Sequence, residues 1–193
     1  PNGNRLCATY YGQSHYEEGH VAVDKFGNVY LNIDSYIVKF TTCFNTLVVS
    51  TNDSCNGQCN GTAKAIPAFG KNPYTYSWNT NPVQTTQIAT GICAGVYSVT
   101  VTDSEAFNST AIVVITQPTK LLTNISSISN ASCAGLCDGS ALDTVSGGTP
   151  AYTFLWNTVP AQTTAKVTGL CAGTYNVTIT DTNGCIANDT VTI

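Results

Sequence analysis

The chain has 193 residues, of which 9% are charged, and its 7 Lys and Arg residues against 11 Asp and Glu residues give a net charge of −4. This acidic balance, with no run of basic residues, argues against nucleic acid or an anionic membrane surface as a partner. No apolar stretch approaches the roughly 18 residues of a membrane-spanning helix, so no membrane span is expected.

The N-terminal residues 1–43 are predicted to form a small three-stranded β segment. Residues 21–23, 29–33 and 36–40 are rich in β-branched and aromatic residues, and a "DKFGN" turn follows the first of them. Three strands are too few to bury their own faces, so they must pack on something else. The segments "YYGQ", "VAVDKFGNVYLN" and "VKF" resemble the SBBP repeat. This resemblance implies that residues 1–43 are a β-propeller-type segment.

The motif "HYEEGH" in this segment could be a metal or acid–base site. His15 and His20 are five residues apart rather than four, and Gly19 disfavours a helix, so the motif does not fit a helical zinc site. An acidic loop is the simpler interpretation. Because both histidines of the chain lie in its first 20 residues, no Ser-His-Asp or Cys-His arrangement can be argued further along. We expect no cofactor and no enzymatic activity.

The rest of the chain repeats itself. Residues 53–115 align with 131–193 without a gap, with 28 identities in 63 positions. Each unit contains short runs of period-two alternation separated by turn signals, the pattern typical of an all-β sandwich. We therefore predict an all-β protein with two tandem immunoglobulin-like repeats, repeat 1 (residues 44–117) and repeat 2 (residues 118–193).

Two aromatic residues in each repeat are predicted to be core residues. Trp78 and Trp156 lie mid-strand between alternating aromatic residues, as a buried strand-C tryptophan would. Tyr97 and Tyr175 follow "CAG" at the start of the next-to-last strand, where a tyrosine corner would tie a loop to that strand. The alternative is that the tryptophans form an exposed platform for sugars.

The nine cysteines predict disulfides in an exported protein. The C-x3-C spacing of "CNGQC" and "CAGLC" could suggest zinc, but no histidine accompanies it. Counting strands places Cys59 near Cys93, and Cys137 near Cys171, at one end of each sandwich. Each pair would close 34 residues and stabilise by roughly 3–4 kcal/mol.

The remaining cysteines are assigned by elimination. Cys133 and Cys185 are left over in repeat 2 and are predicted to pair, although strand order places them nearer opposite ends. In repeat 1, Phe107 stands where repeat 2 has Cys185. Cys7, Cys43 and Cys55 then form an odd trio. We predict that Cys7 and Cys43 are disulfide-bonded and that Cys55 is free or intermolecular.

An aspartate ends the next-to-last strand of each repeat. Asp103 and Asp181 precede a turn, where an aspartate side chain commonly accepts hydrogen bonds from the turn backbone. A calcium site is the second interpretation.

Both repeats resemble the SprB repeat family. The resemblance is carried by "CNGQCNG", "YTYSWNT", "GICAGVYSVTVTD" and "ITQP" in repeat 1, and by "GGTPAYTFLWNT" and "GLCAGTYNVTITDTNGC" in repeat 2. Repeat 1 departs from the pattern, since "FGKNPYTY" lacks the double glycine and its last cysteine is missing. The family offers no catalytic residues.

The resemblance implies an exported Bacteroidota cell-surface protein of the gliding-motility adhesin type, secreted through the type IX system. Such hosts glycosylate Ser or Thr after Asp, so "DTV" at 143–145 and 189–191 makes Thr144 and Thr190 candidate glycosylation sites.

Two functions follow from this sequence. The first is an extracellular, non-catalytic structural and adhesive repeat module of a surface adhesin or filament. The alternative is a carbohydrate-binding accessory module of a secreted enzyme. Expected partners are identical subunits, the rest of a longer repeat chain, or a surface polysaccharide. Ile193 aligns with Ile115, which leads into "TQP" and another repeat.

Overall fold

The computed structural model describes residues 6–13, 21–23, 29–33 and 36–193. Within these ranges the chain has sixteen strands and no helix, so the prediction of an all-β fold is confirmed. The motif that contains His15 and His20 lies outside the described residues.

The N-terminal sheet has four strands, one more than the sequence analysis predicts. They are β1 (Leu6–Gln13), β2 (Val21–Val23), β3 (Val29–Ile33) and β4 (Tyr36–Thr42). The order in the antiparallel sheet is β1-β4-β3-β2. The added strand β1 pairs along the whole of β4, from Leu6 opposite Thr42 to Gln13 opposite Tyr36. This pairing joins residues distant in sequence, so local pattern alone does not show it.

Repeat 1 contains six strands in two antiparallel sheets. The strands are β5 (Asn45–Thr51), β6 (Gly61–Ala68), β7 (Thr75–Trp78), β8 (Ile88–Ile92), β9 (Gly95–Thr102) and β10 (Asn108–Ile115). One sheet has the order β5-β6-β8 and the other β10-β9-β7. Three strands per sheet in this order form a small immunoglobulin-like sandwich.

Repeat 2 has the same arrangement. Its strands are β11 (Leu122–Ser129), β12 (Gly139–Ser146), β13 (Tyr152–Trp156), β14 (Lys166–Leu170), β15 (Thr174–Asp181) and β16 (Ile186–Thr192). The sheets have the orders β11-β12-β14 and β13-β15-β16. Trp156 is opposite Val177, just as Trp78 is opposite Val99 in repeat 1.

Along the strands of repeat 2, alternate residues face the interior of the sandwich, and these residues form most of its core. Its buried residues are Leu121, Ala141, Trp156, Val167, Leu170, Val177, Ile179 and Val191. A glycine is needed where β12 begins, because a Cβ on Gly139 would lie 2.8 Å from the carbonyl oxygen of Leu170 and 2.8 Å from Ile193 Cγ2. This close approach lets β12 and β14 pair right up to the adjoining loop.

The chain forms two compact units, and their boundaries do not follow the sequence repeat. The first unit comprises Pro1–Val49, Ala63–Ala89 and Tyr97–Val113. The second comprises Ser50–Thr62, Thr90–Val96 and Val114–Ile193. One end of repeat 1 is thus part of the compact unit that contains repeat 2. Residues 52–60, 116–118 and 181–185 all lie within this second unit.

Candidate functional site: a disulfide-bonded junction

The loop between β5 and β6, residues 52–60, is held by its own aspartate; we call it and its counterpart, residues 130–138, the cysteine loops. Asp53 Oδ1 accepts hydrogen bonds from the backbone N–H groups of Asn60 and Gly61, both at 2.7 Å. Asp53 itself is buried. These bonds fix the two ends of the loop and present half-buried Cys55 from its middle.

The cysteine loop of repeat 1 also binds the connector that leads into repeat 2, residues 116–118. The backbone N–H of Gly57 donates to Gln117 Oε1 at 2.6 Å, and Asn56 Nδ2 donates to the carbonyl oxygen of Pro118 at 3.1 Å. Gly57 has a φ of 76°, which a residue with a side chain rarely adopts. The loop therefore fixes the start of repeat 2 by backbone and amide contacts.

The turn between β15 and β16, residues 181–185, is built around one carboxylate; we call it and its counterpart, residues 103–107, the aspartate turns. Asp181 Oδ2 accepts from the backbone N–H of Thr149 at 2.8 Å. Its Oδ1 accepts from the backbone N–H groups of Asn183 and Cys185, both at 2.9 Å. Both oxygens are thus used by the protein's own backbone, and the arrangement holds Cys185 at the end of the turn.

These donors set the protonation of Asp181. Burial by itself would raise the pKa of Asp181, but the backbone N–H groups around the carboxylate outweigh that effect and lower the pKa below 3.8. The carboxylate is therefore ionised at neutral pH, and its negative charge strengthens the hydrogen bonds that shape the turn.

A disulfide joins the cysteine loop of repeat 1 to the aspartate turn of repeat 2. Cys55 is bonded to Cys185, with a Cα–Cα distance of 5.7 Å and a sequence separation of 130. Asn183 Nδ2 supports the contact by donating to the carbonyl oxygen of Ser54 at 2.9 Å. In the chain-entropy model, closing a loop of this size stabilises the folded state by about 4–5 kcal/mol.

The predicted pair Cys133–Cys185 is wrong, and so is the prediction that Cys55 is the free or intermolecular cysteine. Cys133 lies just before β12, whose first residue, Gly139, lies beside Ile193 at the far end of β16. Cys185 precedes the start of β16, so the two cysteines lie at opposite ends of strands 7 or 8 residues long. Such strands extend for roughly 20–25 Å, whereas a disulfide requires Cα atoms within about 7 Å. Among the cysteines that the structure describes, Cys133 is the free one, and it is exposed.

The other disulfides lie within single repeats. Cys59 is bonded to Cys93, and Cys137 is bonded to Cys171. Cys43 is also disulfide-bonded, while the side chain of Cys7 lies outside the described residues. The C-x3-C cysteines Cys55, Cys59 and Cys137 are therefore used in disulfides, which leaves no thiolate pair for zinc in either cysteine loop.

The aspartate turn of repeat 1 has the same construction but no cysteine. Asp103 accepts from the backbone N–H groups of Lys71, Glu105 and Phe107 at 2.9 to 3.1 Å. Burial would raise the pKa of Asp103, and these donors together lower it below 3.8. Phe107, which is 62% exposed, occupies the position of Cys185. Repeat 1 therefore has the loop half of the junction and lacks the turn half.

Both tryptophans face the interior. Trp78 is 1% exposed and Trp156 is fully buried. Their indole N–H groups donate to the carbonyl oxygens of Thr86 and Thr164, each at 2.9 Å. Neither ring offers a face to a sugar.

The two tyrosines lie at the start of β9 and β15. Tyr97 and Tyr175 are half-buried. The hydroxyl of Tyr175 donates to the carbonyl oxygen of Cys171 at 3.2 Å, four residues upstream. This bond ties the strand to the disulfide-bonded loop, as a tyrosine corner does.

The two candidate glycosylation sites are exposed threonines on strands. Thr144 Oγ1 donates to the carbonyl oxygen of Asn124 at 3.0 Å, and Thr190 Oγ1 donates to Asn176 Oδ1 at 2.9 Å. Asp143, which precedes the first of them, is 1% exposed. An enzyme that reads this Asp-Thr pair would reach the aspartate only before the chain folds, and glycosylation remains a prediction.

No further chemistry-bearing cluster is present in the described ranges. Among those residues, no group of three or more His, Cys, Asp or Glu side chains could hold a metal ion. Residues 6–13, 21–23, 29–33 and 36–193 also contain no helix that is long and apolar enough to cross a membrane.

A groove beside the disulfide is lined by Asn56, Gln58, Lys120, Leu121 and Ile186 together with the two cysteines.

A known repeat family matches part of each repeat. The SprB repeat family model matches residues 47–83 and 125–161, equivalent stretches of repeat 1 and repeat 2. The resemblance of residues 1–43 to the SBBP repeat stays a prediction. No match was found among curated protein sequences.

Two solved structures are similar to the chain. Three N-terminal domains of Hoc, the highly immunogenic outer capsid protein of bacteriophage RB49, align with a TM-score of 0.50 and 18% identity over 78% of this chain and 59% of that one. The C-terminal 282-residue fragment of intimin, solved with the intimin-binding domain of the translocated intimin receptor, aligns with a TM-score of 0.42 and 16% identity over 76% and 62%. The chain spans about three fifths of each structure. The likeness to Hoc concerns the fold alone.

Proposed function

We propose that this chain is an extracellular, non-catalytic structural and adhesive module, in which disulfide-bonded β-sandwich repeats act as rigid spacers. The observation that carries the proposal is the bond between Cys55 and Cys185. It joins a loop of one repeat to a turn of the next, in addition to the connector of residues 116–118. Such a second link stiffens the joint between two repeats, as a spacer of fixed length requires.

The cellular setting is part of the same proposal. The SprB matches and the disulfides support a place at the bacterial cell surface, in an adhesin or filament of a Bacteroidota organism with type IX secretion. Residues 44–117 and 118–193 are proposed as the repeating units. The expected partners are further repeats of a longer chain or identical subunits, with a surface polysaccharide as the adhesion target.

The alternative, a carbohydrate-binding accessory module, is less well supported. Such modules usually present aromatic faces to sugars, and both tryptophans are buried here. An enzymatic role is not favoured either, because the carboxylate oxygens of Asp181 are used by backbone N–H groups, two from its own turn and one from Thr149.

Single-molecule extension of the oxidised chain, held at residues 1 and 193, tests the spacer role. Cys55–Cys185 spans 130 residues, and the two disulfides inside it each span 34. The double variant Cys55→Ser, Cys185→Ser should therefore release about 60 more residues than the native chain, or roughly 200 Å of extended polypeptide.

The matched control is Cys133→Ser, which removes an exposed, unbonded thiol and should extend like the native chain. If the native chain released the same length as the double variant, the disulfide would not carry force and the spacer role would be rejected.

A further inference from the structure

The cysteine loop of repeat 2, residues 130–138, repeats the conformation of the one in repeat 1. The backbone N–H of Leu136 donates to the carbonyl oxygen of Cys133 at 3.1 Å. The backbone N–H of Gln58 makes the same bond to Cys55 at 3.3 Å. Cys133 is therefore presented as Cys55 is, but its thiol is free and exposed.

Further contacts agree between the two loops. The backbone N–H of Ser132 donates to Asp138 Oδ1 at 2.9 Å, and that of Ser54 donates to Asn60 Oδ1 at the same distance. The glycine two residues after each loop cysteine has a positive φ, which is 85° at Gly135 and 76° at Gly57.

The cysteines are distributed with an offset of one repeat. Repeat 1 has the loop cysteine Cys55 but Phe107 in its aspartate turn, whereas repeat 2 has both Cys133 and Cys185. Cys185 is already used by Cys55. The bond therefore runs from the loop of one repeat to the turn of the following repeat, and the same rule leaves the loop of repeat 2 for the turn of a repeat that comes after it.

We propose that the exposed cysteine loop of repeat 2 is a docking site for a further β-sandwich repeat joined in tandem, and that Cys133 forms a disulfide with the cysteine of that repeat's aspartate turn. The occupant has an Asp-x-x-x-Cys turn like residues 181–185 and follows a Thr-Gln-Pro connector like residues 116–118. This proposal rests on the structural role proposed above for the first junction.

The loop also indicates the surface of this partner. The backbone N–H of Gly135 corresponds to that of Gly57, which binds the connector glutamine in the first junction. Ala134 replaces Asn56, so the side-chain bond to the connector proline is lost. Leu136, 51% exposed, replaces Gln58. The partner should accept one backbone hydrogen bond and bring an apolar side chain against Leu136.

The covalent step is an oxidation of two thiols. Cys133 and the incoming cysteine lose two protons and two electrons as the S–S bond forms, and a disulfide oxidant such as oxidised glutathione takes them up as two thiols.

The test extends the full chain by one repeat, by adding a second copy of residues 116–193 after Ile193. The added copy carries Ile128→Val at an exposed side chain, so that its peptide with Cys133 differs in mass from the original peptide. After oxidation in a glutathione buffer, free thiols are alkylated and the disulfides are mapped under non-reducing conditions. We expect alkylation of Cys133 to fall from one per chain to nearly none, with Cys133 bonded to the added copy of Cys185. The added copy of Cys133 should be alkylated instead.

A matched control carries Phe in place of the added copy of Cys185, as repeat 1 does at Phe107. Its Cys133 should stay fully alkylated. Formation of the added copy of the Cys137–Cys171 bond reports that the new repeat has folded.

A folded extension in which Cys133 remains alkylated, or a Cys133–Cys133 dimer of the chain, would overturn the docking proposal. If Cys55–Cys185 is present in that experiment, only this inference fails. If Cys55–Cys185 is itself absent, the proposed spacer function fails with it.

Discussion

Trp78 in repeat 1 and Trp156 in repeat 2 occupy equivalent positions, and both are buried. Trp156 fills the core of repeat 2, opposite Val177 on the neighbouring strand, with its indole N–H satisfied by the carbonyl oxygen of Thr164. A fully buried aromatic side chain makes one of the largest single contributions to a core. Because small sandwiches bury little area in total, losing one such side chain should be severe.

We expect Trp156→Ala to reduce the free energy of unfolding by about 3–5 kcal/mol, measured by chemical denaturation of the oxidised chain. The matched control is Leu155→Ala on the same strand, where the side chain is 55% exposed and the expected change is within about 0.5 kcal/mol. Unchanged stability of Trp156→Ala together with loss of glycan binding would favour the carbohydrate-binding alternative.

At the scale of the elements, the aspartate turns are the most consistent feature of both repeats. Asp103 and Asp181 each accept three backbone N–H bonds, including one from the segment before the third strand of the repeat. The turn thus binds a neighbouring loop as well as itself. In repeat 2 the same turn carries Cys185, so the turn aspartate acts as a positioning residue for the disulfide.

This arrangement predicts a pH dependence. The pKa of Asp181 is lowered in the folded state, so its contribution to stability is complete above the unfolded value of about 3.9 and is lost as the pH falls through the folded pKa. We expect Asp181→Asn to be less stable than the native chain at pH 7, and the difference to shrink below about pH 4.

Thermal unfolding of both proteins between pH 2 and pH 7 measures this difference, with the disulfides kept intact. A constant gap between native chain and variant across that range would contradict the proposed role of the Asp181 carboxylate.

The sequence predicts most of these elements because their signals are local. Alternating residues around Trp78 and Trp156 indicate strands, and the aspartates before each turn indicate backbone hydrogen bonding. The strand β1 was missed because its support is pairing with β4, a contact between distant residues. Local pattern contains no information on that partner.

The partner of Cys185 was missed for a related reason. Elimination within repeat 2 assumes that disulfides close inside one repeat. Phe107 is the feature of the sequence that argues against this assumption. If the loop cysteine and the turn cysteine of the same repeat were paired, repeat 1, which has Phe107 in its turn, would be expected to lack the loop cysteine as well. Cys55 is nevertheless present. Which turn a loop contacts depends on how successive repeats pack, and this is a property of the folded chain.

In the molecule as a whole, one disulfide links the two successive repeats in addition to the connector between them. The compact unit that holds repeat 2 includes the cysteine loop of repeat 1, and Cys55–Cys185 is the bond within it that joins the two repeats. Such a second link beside the connector is what the proposed spacer role requires.

A tryptic map of the oxidised, alkylated protein under non-reducing conditions shows whether Cys55 is bonded to Cys185. Trypsin separates peptide 40–64, which holds Cys43, Cys55 and Cys59, from peptide 167–193, which holds Cys171 and Cys185. Because Cys55 is bonded to Cys185 and Cys133 is free, we expect both peptides in one cross-linked species, with Cys133 alkylated on peptide 121–166. If peptides 121–166 and 167–193 were joined only to each other, and peptide 40–64 were absent from that species, Cys185 would be bonded to Cys133, which would contradict the Cys55–Cys185 bond between the repeats.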